Sequence, residues 1–562
     1  MSESSDVSTA IDDLFFGTER IALASTLPFL FFLPMNKSPR WLKRKQYFHL
    51  LPPSNLSDKE IIAYVSNSER VRSHPFLPLI HYTITENCFR RKFYTELNRR
   101  NEHREVKKPS KKREIFYVDH MDGHIMSYYA HQLNKILESK YYERKALDKE
   151  VVAYRRISAE RSNGQRKRNK CNIDFAKEAF DFIRTYPEDS VAVLCLDITK
   201  FFDSLDHVTL KRMWTKLLGK SRLPCDHFTI YRTLTQCKFI EVGRLFKELP
   251  HLGISKLSQL RQRRFRKKLK KRKIYSFCKN RKELRKLLAK KGIVRTYFEK
   301  LSPEEKANGF EPRLKNTGIP QGTPISAMLS NLYILEFDQK ISQLLSNAQG
   351  FYRRYSDDIF IACPVSKVDE VRQVIDNEIK KLKLNINSDK DQVAIFERNE
   401  QGRFRTKSFR VGKTNRPTKQ LTYLGFRFDG ENVYLKNSTL SKYYRGAKRS
   451  IRRAAYYAAC VKEDQKKGRK LNSHPWIFRR SIYRSKTSLG AKRKTFVDNE
   501  GRRRKFWGNF HSYLRLASEI MDEPKIKKQG KLHWRIIHDA IHEYEEAYEL
   551  DSQRRTTRKE TE

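Results

Sequence analysis

Cysteine is scarce and scattered. Cys88, Cys171, Cys195, Cys225, Cys237, Cys278, Cys363 and Cys460 stand singly, with no C-x-x-C and no Cys/His spacing typical of a ligand set. That excludes a disulfide-stapled scaffold and a structural zinc module, and it implies free thiols in a reducing compartment. Long apolar runs are also missing. The run from Ile21 to Pro34 is too short to cross a bilayer, is broken by Pro28, and follows Asp12, Asp13 and Glu19 rather than a basic segment. It reads as a buried docking segment, not as a signal peptide or an anchor. A cytoplasmic chain with no membrane partner is expected. There is no internal repeat and no long low-complexity tract. Negative charge is the third shortage, because 65 Asp and Glu face 118 Lys and Arg, a net charge of +53. So large an excess calls for a polyanionic partner, nucleic acid first and an anionic membrane surface second.

What is present is enough to fold. The 562 residues are 38% hydrophobic and include 34 Phe and 27 Tyr, which supplies a core and excludes wholesale disorder. Residues 1–110 read as an N-terminal extension ending in the basic run Lys107 to Arg113. A strand over Ile115–Val118, a helix over Ile125–Ser139, a basic loop over Arg161–Lys170 and a helix over Ile173–Tyr186 follow. The most apolar strand, Val191 to Leu196, ends at Asp197. Helical pattern continues through Leu218 and over residues 226–240. Residues 259–300 mix Lys and Arg with Leu, Phe and Tyr. A solvated basic helix is one reading of them. The charge density and interspersed aromatics favour a nucleic-acid grip through Arg263, Arg264, Arg266, Lys267 and Lys268. Ordered signals resume at Gly318. A helix is expected over Ile325–Leu344, an acidic hairpin at 351–362, a helix over Val368–Leu382, a basic loop over Asn399–Lys419, and a strand pair around Leu421–Tyr434. From Ser438 the chain reads as basic, aromatic-rich and helical, with a disordered tail from Asp551. His533, His538 and His542 lie on one helical stretch, but the Glu of a zincin motif is missing.

Two features carry chemistry. Asp357-Asp358 lies between short β-prone runs, and only a turn lets neighbouring acids approach one site, since adjacent strand residues face opposite ways. Taken alone, the pair reads as a solvated hairpin turn. Asp197, at the end of a buried strand, reads alone as a helix cap. Together they suggest one site built from two strand ends. Carboxylates on rigid strands suit Mg2+, and a pair of such ions is what phosphoryl transfer between nucleotides uses.

Five segments in order resemble the motifs of reverse transcriptases. Leu196 to His207 (LDITKFFDSLDH) resembles motif A, Gly318 to Ser326 (GIPQGTPIS) motif B, Tyr355 to Asp358 (YSDD) motif C, Leu384 to Lys390 (LNINSDK) motif D, and Leu421 to Phe426 (LTYLGF) the primer-grip motif E. The resemblance implies an α+β right-hand polymerase fold of fingers, palm and helical thumb. It places fingers and palm over 111–435, with a basic insertion at about 243–317 and a basic C-terminal region over 436–562. By position, it implies that Asp197, Asp357 and Asp358 bind two Mg2+ ions, with Mn2+ as a substitute. Phe202 would be the steric gate against a 2′-hydroxyl, and Gln321 and Gly322 would lie near the nascent pair. Arg155, Arg156 and Lys390 would hold the triphosphate or pyrophosphate, and Tyr423, Leu424 and Gly425 would contact nucleic acid. The resemblance further implies dNTPs, an RNA template or non-coding RNA and a DNA product as partners, and leaves a homo-oligomer open.

No HNH or RNase H segment is recognisable, and the Val-Thr-Gly element of retron enzymes is not evident, since Val411-Gly412-Lys413 is a poor substitute. The long basic insertion and the helical C-terminal region look more like bacterial defence-associated reverse transcriptases of the abortive-infection and "unknown group" classes. Alternatives from the same residues are template-independent or protein-primed DNA synthesis, a retron-type enzyme, and an RNA-binding scaffold without turnover.

Overall fold

In a computed structural model the described residues are 38–45, 47–92, 104–143, 147–159, 168–255, 257–261, 263–296, 316–412, 414–415, 420–468, 474–492, 494–497, 503–506 and 508–550. The apolar run at 21–34, most of the 161–170 loop and the tail from Asp551 lie outside them.

Strands β1 (Leu79–Lys92) and β2 (Arg104–Tyr117) form an antiparallel hairpin in which Ile80 faces Tyr117 and Thr85 faces Lys112. The expected boundary at residue 110 therefore falls inside a strand. Its basic composition fits an edge strand, where lysines discourage further pairing. Helix α1 (His120–Leu137) starts at Asp119, whose carboxylate accepts from the Met121 amide at 3.4 Å. Then come α2 (Asn172–Arg184), β3 (Ser190–Asp197), the single turn α3 (Phe201–Ser204), α4 (His207–Leu218) and α5 (Cys225–Thr235). The helix expected to reach residue 240 stops at Thr235. Residues 238–241 instead form β4 (Lys238–Glu241), parallel to β1 with Ile240 opposite Ile80.

The basic insertion contributes α6 (Arg263–Lys271), α7 (Arg281–Leu288) and β5 (Arg295–Thr296), which pairs with β4. Leu269, Phe277, Leu284 and Leu287 share a buried cluster with Leu50, Ile80 and Ile240. The Phe277 amide donates to the His49 carbonyl at 2.9 Å and the Cys278 amide to the Leu50 carbonyl at 3.0 Å. The N-terminal residues are thus part of the core that seats the insertion. Lys267, Lys268, Arg281, Lys282, Arg285 and Lys286 remain exposed, as amphipathic helices require.

The single helix expected over 325–344 is two, α8 (Ser326–Tyr333) and α9 (Leu335–Asn347), divided at Ile334. After them come β6 (Phe351–Tyr355), β7 (Asp358–Cys363), α10 (Val368–Lys381), β8 (Gln392–Arg398), β9 (Phe404–Val411) and β10 (Thr414–Asn415). Residues 404–411 were expected to be loop. They pair instead along β8, with Phe404 and Phe409 buried between the basic positions. The central sheet has the order β10-β9-β8-β3-β7-β6. A three-stranded meander follows, β11 (Leu421–Tyr423), β12 (Phe426–Phe428) and β13 (Val433–Leu435). The C-terminal region holds α11 (Asn437–Lys466), α12 (Arg479–Lys486), the hairpin β14 (Lys494–Val497) and β15 (Arg503–Phe506), α13 (Phe510–Met521) and α14 (His533–Ala547). Among the described residues no helix is long and apolar enough to cross a membrane.

β3 is covered on both faces, which is why it reads as an unbroken apolar run. Ala192, Leu194 and Leu196 pack with Leu329 of α8 and Ile375 of α10, while Val191, Val193 and Cys195 pack with α2 and α13. Only at Asp197 does the strand leave these layers.

Candidate active site

β3 and β7 pair antiparallel with Asp197 directly opposite Asp358. Opposed residues of a ladder point to the same face with Cβ atoms about 5 Å apart, so the pairing itself brings two carboxylates together. Tyr355 pairs with Asp358 across the β6–β7 turn, which leaves Ser356 and Asp357 as the turn residues. Asp358 is therefore the first residue of β7 rather than part of the turn. Ser356 takes a left-handed φ of 61°, a cost a non-glycine residue bears only where its surroundings enforce it. The Asp357 carbonyl accepts from the Ile198 amide at 3.1 Å, fastening the turn to the end of β3.

Burial raises the Asp357 carboxyl above its usual range, with the nearby Asp197 charge adding to the effect. Asp358 is pushed up to about 7, first by burial and then by the like charges of Asp357 and Asp197. Lys390 lies with Nζ 2.8 and 2.7 Å from the two Asp197 carboxylate oxygens. Asn387 adds an Nδ2 contact of 3.3 Å to the same carboxylate, and its amide donates to the Asp197 carbonyl at 2.7 Å. The donors fit hard divalent cations: three carboxylates from two strand ends, with more negative charge than Lys390 offsets. As the side chains stand, no three acidic, His or Cys groups among the described residues converge as an ion cage. Asp197 is turned onto Lys390, which holds the carboxylate a cation would share.

The glycines of the 318–322 segment are required by close approach. Gly318 has φ +84°, and a Cβ there would meet the Asp203 carbonyl oxygen at 2.8 Å. Gly322 has φ +110°, and its Cβ would meet the Phe116 carbonyl oxygen at 2.5 Å. The Phe116 amide donates to the Gln321 carbonyl at 2.9 Å, so this segment is docked on β2. The Ile319 amide donates to the Phe202 carbonyl at 2.9 Å, tying the same segment to α3. Phe202 is half-buried there, its ring 5.8 Å from that of Phe201.

Two expected contacts are corrected by their surroundings. Arg155 was expected to hold a triphosphate. Its guanidinium lies 4.0 Å from the Tyr142 ring centroid, bonds Glu138 and Asp148, and donates to the Asp148 and Val151 carbonyls at 2.7 Å, so its donors are spent on structure. Arg156 is exposed. Tyr423 was expected to touch nucleic acid, but it is 3% exposed, with its ring 4.7 Å from that of Phe360 in the core. Leu424 and Gly425 form the following turn, at φ 43° and 92°. In the insertion, Lys267 and Lys268 are exposed on α6, whose backbone also carries Arg263, Arg264 and Arg266. His538 and His542 contact each other at 3.1 Å through Nε2. Residues not singled out from sequence are Asn387, in the motif D-like run, and Tyr154, whose hydroxyl lies 3.0 Å from Ser356 Oγ. Both lie inside segments in which charged neighbours drew the attention.

Residues 264–428 match the family model described as reverse transcriptase (RNA-dependent DNA polymerase). The chain carries a reverse transcriptase domain. The matched span includes Gly318–Ser326, Tyr355–Asp358, Leu384–Lys390 and Leu421–Phe426, and it begins downstream of Asp197. Its mixed helix and sheet arrangement fits a right-hand polymerase fold. No curated protein matches the chain. Among solved structures, a C-terminally truncated apo telomerase from Candida tropicalis is similar at 9% identity and TM-score 0.33, covering 68% of this chain and 63% of its own. The apo telomerase of the same yeast is similar at 9% identity and TM-score 0.34, covering 90% and 75%. A Candida albicans telomerase in complex with a TWJ fragment of telomeric RNA gives 11% identity and TM-score 0.30, covering 88% and 69%.

Proposed function

We propose that this chain is an RNA-directed DNA polymerase whose nucleotidyl-transfer centre is Asp197, Asp357 and Asp358. The observation that carries the reading is the β3–β7 register, which sets Asp197 opposite Asp358 with Asp357 in the adjoining turn. Two divalent cations, bound by these carboxylates, would supply the Lewis acidity that activates a 3′-hydroxyl and neutralises departing pyrophosphate. The chain itself does the rest. β3 and β7 fix the carboxylates, and Lys390, ion-paired with Asp197, would meet the departing pyrophosphate. Gln321 and Gly322 would lie beneath the nascent pair, the exposed Arg156 would meet the triphosphate, and the Phe202 ring would exclude a 2′-hydroxyl. The template is RNA, and the exposed cations of α6 and α7 supply the charge that holds its backbone.

The +53 charge and the long basic insertion support work with a dedicated non-coding RNA, in the manner of bacterial anti-phage defence enzymes. Purified protein given a primed RNA template, Mg2+ and dNTPs should extend the primer, and Asp357→Asn/Asp358→Asn should abolish extension. Extension unchanged in that variant would remove the assignment. Loss of phage protection in the same variant tests the defence role.

A further inference from the structure

Beneath the β6–β7 turn lies an ion pair that the polymerase reading does not use. Arg354 and Asp338 are both fully buried, with side-chain exposures of 0%. Arg354 Nε and Nη2 donate to the two Asp338 oxygens at 2.7 and 2.6 Å, and Tyr352 Oη donates to Asp338 Oδ1 at 2.6 Å. The remaining Arg354 nitrogen, Nη1, donates to the Ser356 carbonyl and to Asn331 Oδ1, each at 3.1 Å. Asn331 in turn donates through Nδ2 to the Ala153 carbonyl at 3.0 Å. Tyr154, next in the chain and itself left-handed at φ 64°, reaches back to Ser356 Oγ at 3.0 Å. The contacts close a ring: Arg354, Asn331, Ala153, Tyr154, Ser356 and again Arg354. The backbone joins in, since the Arg354 amide donates to the Glu150 carbonyl at 2.8 Å and the Val152 amide to the Arg354 carbonyl at 3.1 Å.

Stability alone is a poor reason for such a pair. Replacing a buried ion pair by apolar residues of similar volume is often neutral or stabilising, whereas removing one partner is costly. What the pair does supply is direction. The bidentate grip fixes the guanidinium plane, and the fixed plane aims Nη1 at the carbonyl of Ser356. That carbonyl belongs to the peptide that enters Asp357, so its orientation sets where the carboxylates of Asp357 and Asp358 point. Ser356 is held at a positive φ between this bond on one side and Tyr154 on the other, as a strained residue must be by its surroundings.

We propose that Arg354 and Asp338 are positioning residues for the carboxylate turn, acting through the Ser356 carbonyl to hold Asp357 and Asp358 in cation-binding geometry. This rests on the reading of those carboxylates as the nucleotidyl-transfer centre. Arg354→Lys keeps the charge opposite Asp338 but cannot grip it in bidentate fashion and reach Ser356 together. The paired variant Asp338→Leu/Arg354→Met removes both charges and with them the bond to Ser356, and it guards against simple unfolding.

The two variants are compared with the wild type in three measurements: Mn2+ binding by loss of the free-ion electron paramagnetic resonance signal, primer-extension kcat and KM for dNTP, and urea unfolding. Both variants should keep a cooperative unfolding transition, bind Mn2+ at least about fivefold more weakly, and lose tenfold or more in kcat with a dNTP KM within about twofold, because a misplacement of the order of 1 Å costs up to about a hundredfold. Wild-type Mn2+ affinity and kcat in either folded variant would overturn the positioning role. So would an Arg354→Lys protein that fails to fold while the paired variant folds with full activity. Failure of the wild type itself to bind Mn2+ or to extend a primer would strike instead at the underlying polymerase reading.

Discussion

Asp358→Asn should make the protein more stable while destroying its activity, and the gain should depend on pH. The Asp358 carboxyl moves from 3.8, its ordinary value, to about 7 in the fold, because it is buried beside Asp357 and Asp197. A raised carboxyl means that the folded state retains a proton the unfolded chain has already lost. Stability contributed by this group therefore falls as pH rises from about 4 to about 7. At about 1.4 kcal/mol per pH unit between those values, keeping Asp358 ionised in the fold costs roughly 4 kcal/mol at pH 8 without divalent metal. Asparagine carries no charge and escapes that cost. In urea titrations with EDTA, Asp358→Asn should exceed the wild type by roughly 4 kcal/mol at pH 8 and by between about 1 and 2 kcal/mol at pH 5. Millimolar Mg2+ should narrow the gap at pH 8, since a cation that binds only the folded wild type stabilises it by mass action. A variant no more stable than the wild type at pH 8, or a gain independent of pH, would refute the crowding of negative charge at this site.

Gly322→Ala should cost at least about 2 kcal/mol in unfolding, because its φ of +110° and the Phe116 carbonyl oxygen 2.5 Å from the new Cβ leave it no relaxed position; chemical denaturation checks this. Phe202→Ala should lower discrimination against ribonucleotides by at least about tenfold, read from kcat/KM for dNTP and rNTP on one template. Neutralising Arg263, Arg264, Arg266, Lys267 and Lys268 together should flatten the dependence of RNA affinity on salt by about 0.7–0.9 in log–log slope for each phosphate that these cations neutralise; an unchanged slope would assign α6 to a solvated face.

The parts of the site legible in the sequence are those where chemistry and backbone coincide. Asp197 stood out because an apolar run ends on a charge, and β3 ends there for the same reason: it is covered on both faces until that residue. Gly318 and Gly322 stood out as glycines, and both sit where a Cβ would strike a carbonyl. What escaped was set by partners distant in the chain. The resemblance gives Arg155 to the triphosphate, and only the fold brings Glu138 and Asp148 around it. The resemblance sends Tyr423 to nucleic acid, and only the packing of the three-stranded meander on the central sheet places Phe360 against it. The basic run ending at Arg113 reads as a boundary because composition does not report that residues 79–92 will pair with it. Arg354 and Asp338 are 16 residues apart, and nothing in either neighbourhood signals that both charges will be sealed from water.

The claim that matters most is that Asp197, Asp357 and Asp358 bind the cations together, and iron-directed cleavage tests it most directly. Fe2+ substituted for Mg2+, with ascorbate and peroxide, cuts the backbone beside the bound ion. Fragments mapped by mass spectrometry should end near residue 197 and near residues 356–358, compete away with Mg2+, and vanish in Asp357→Asn/Asp358→Asn. Cuts at only one of the two strand ends, or cuts that persist in that variant, would contradict a shared site.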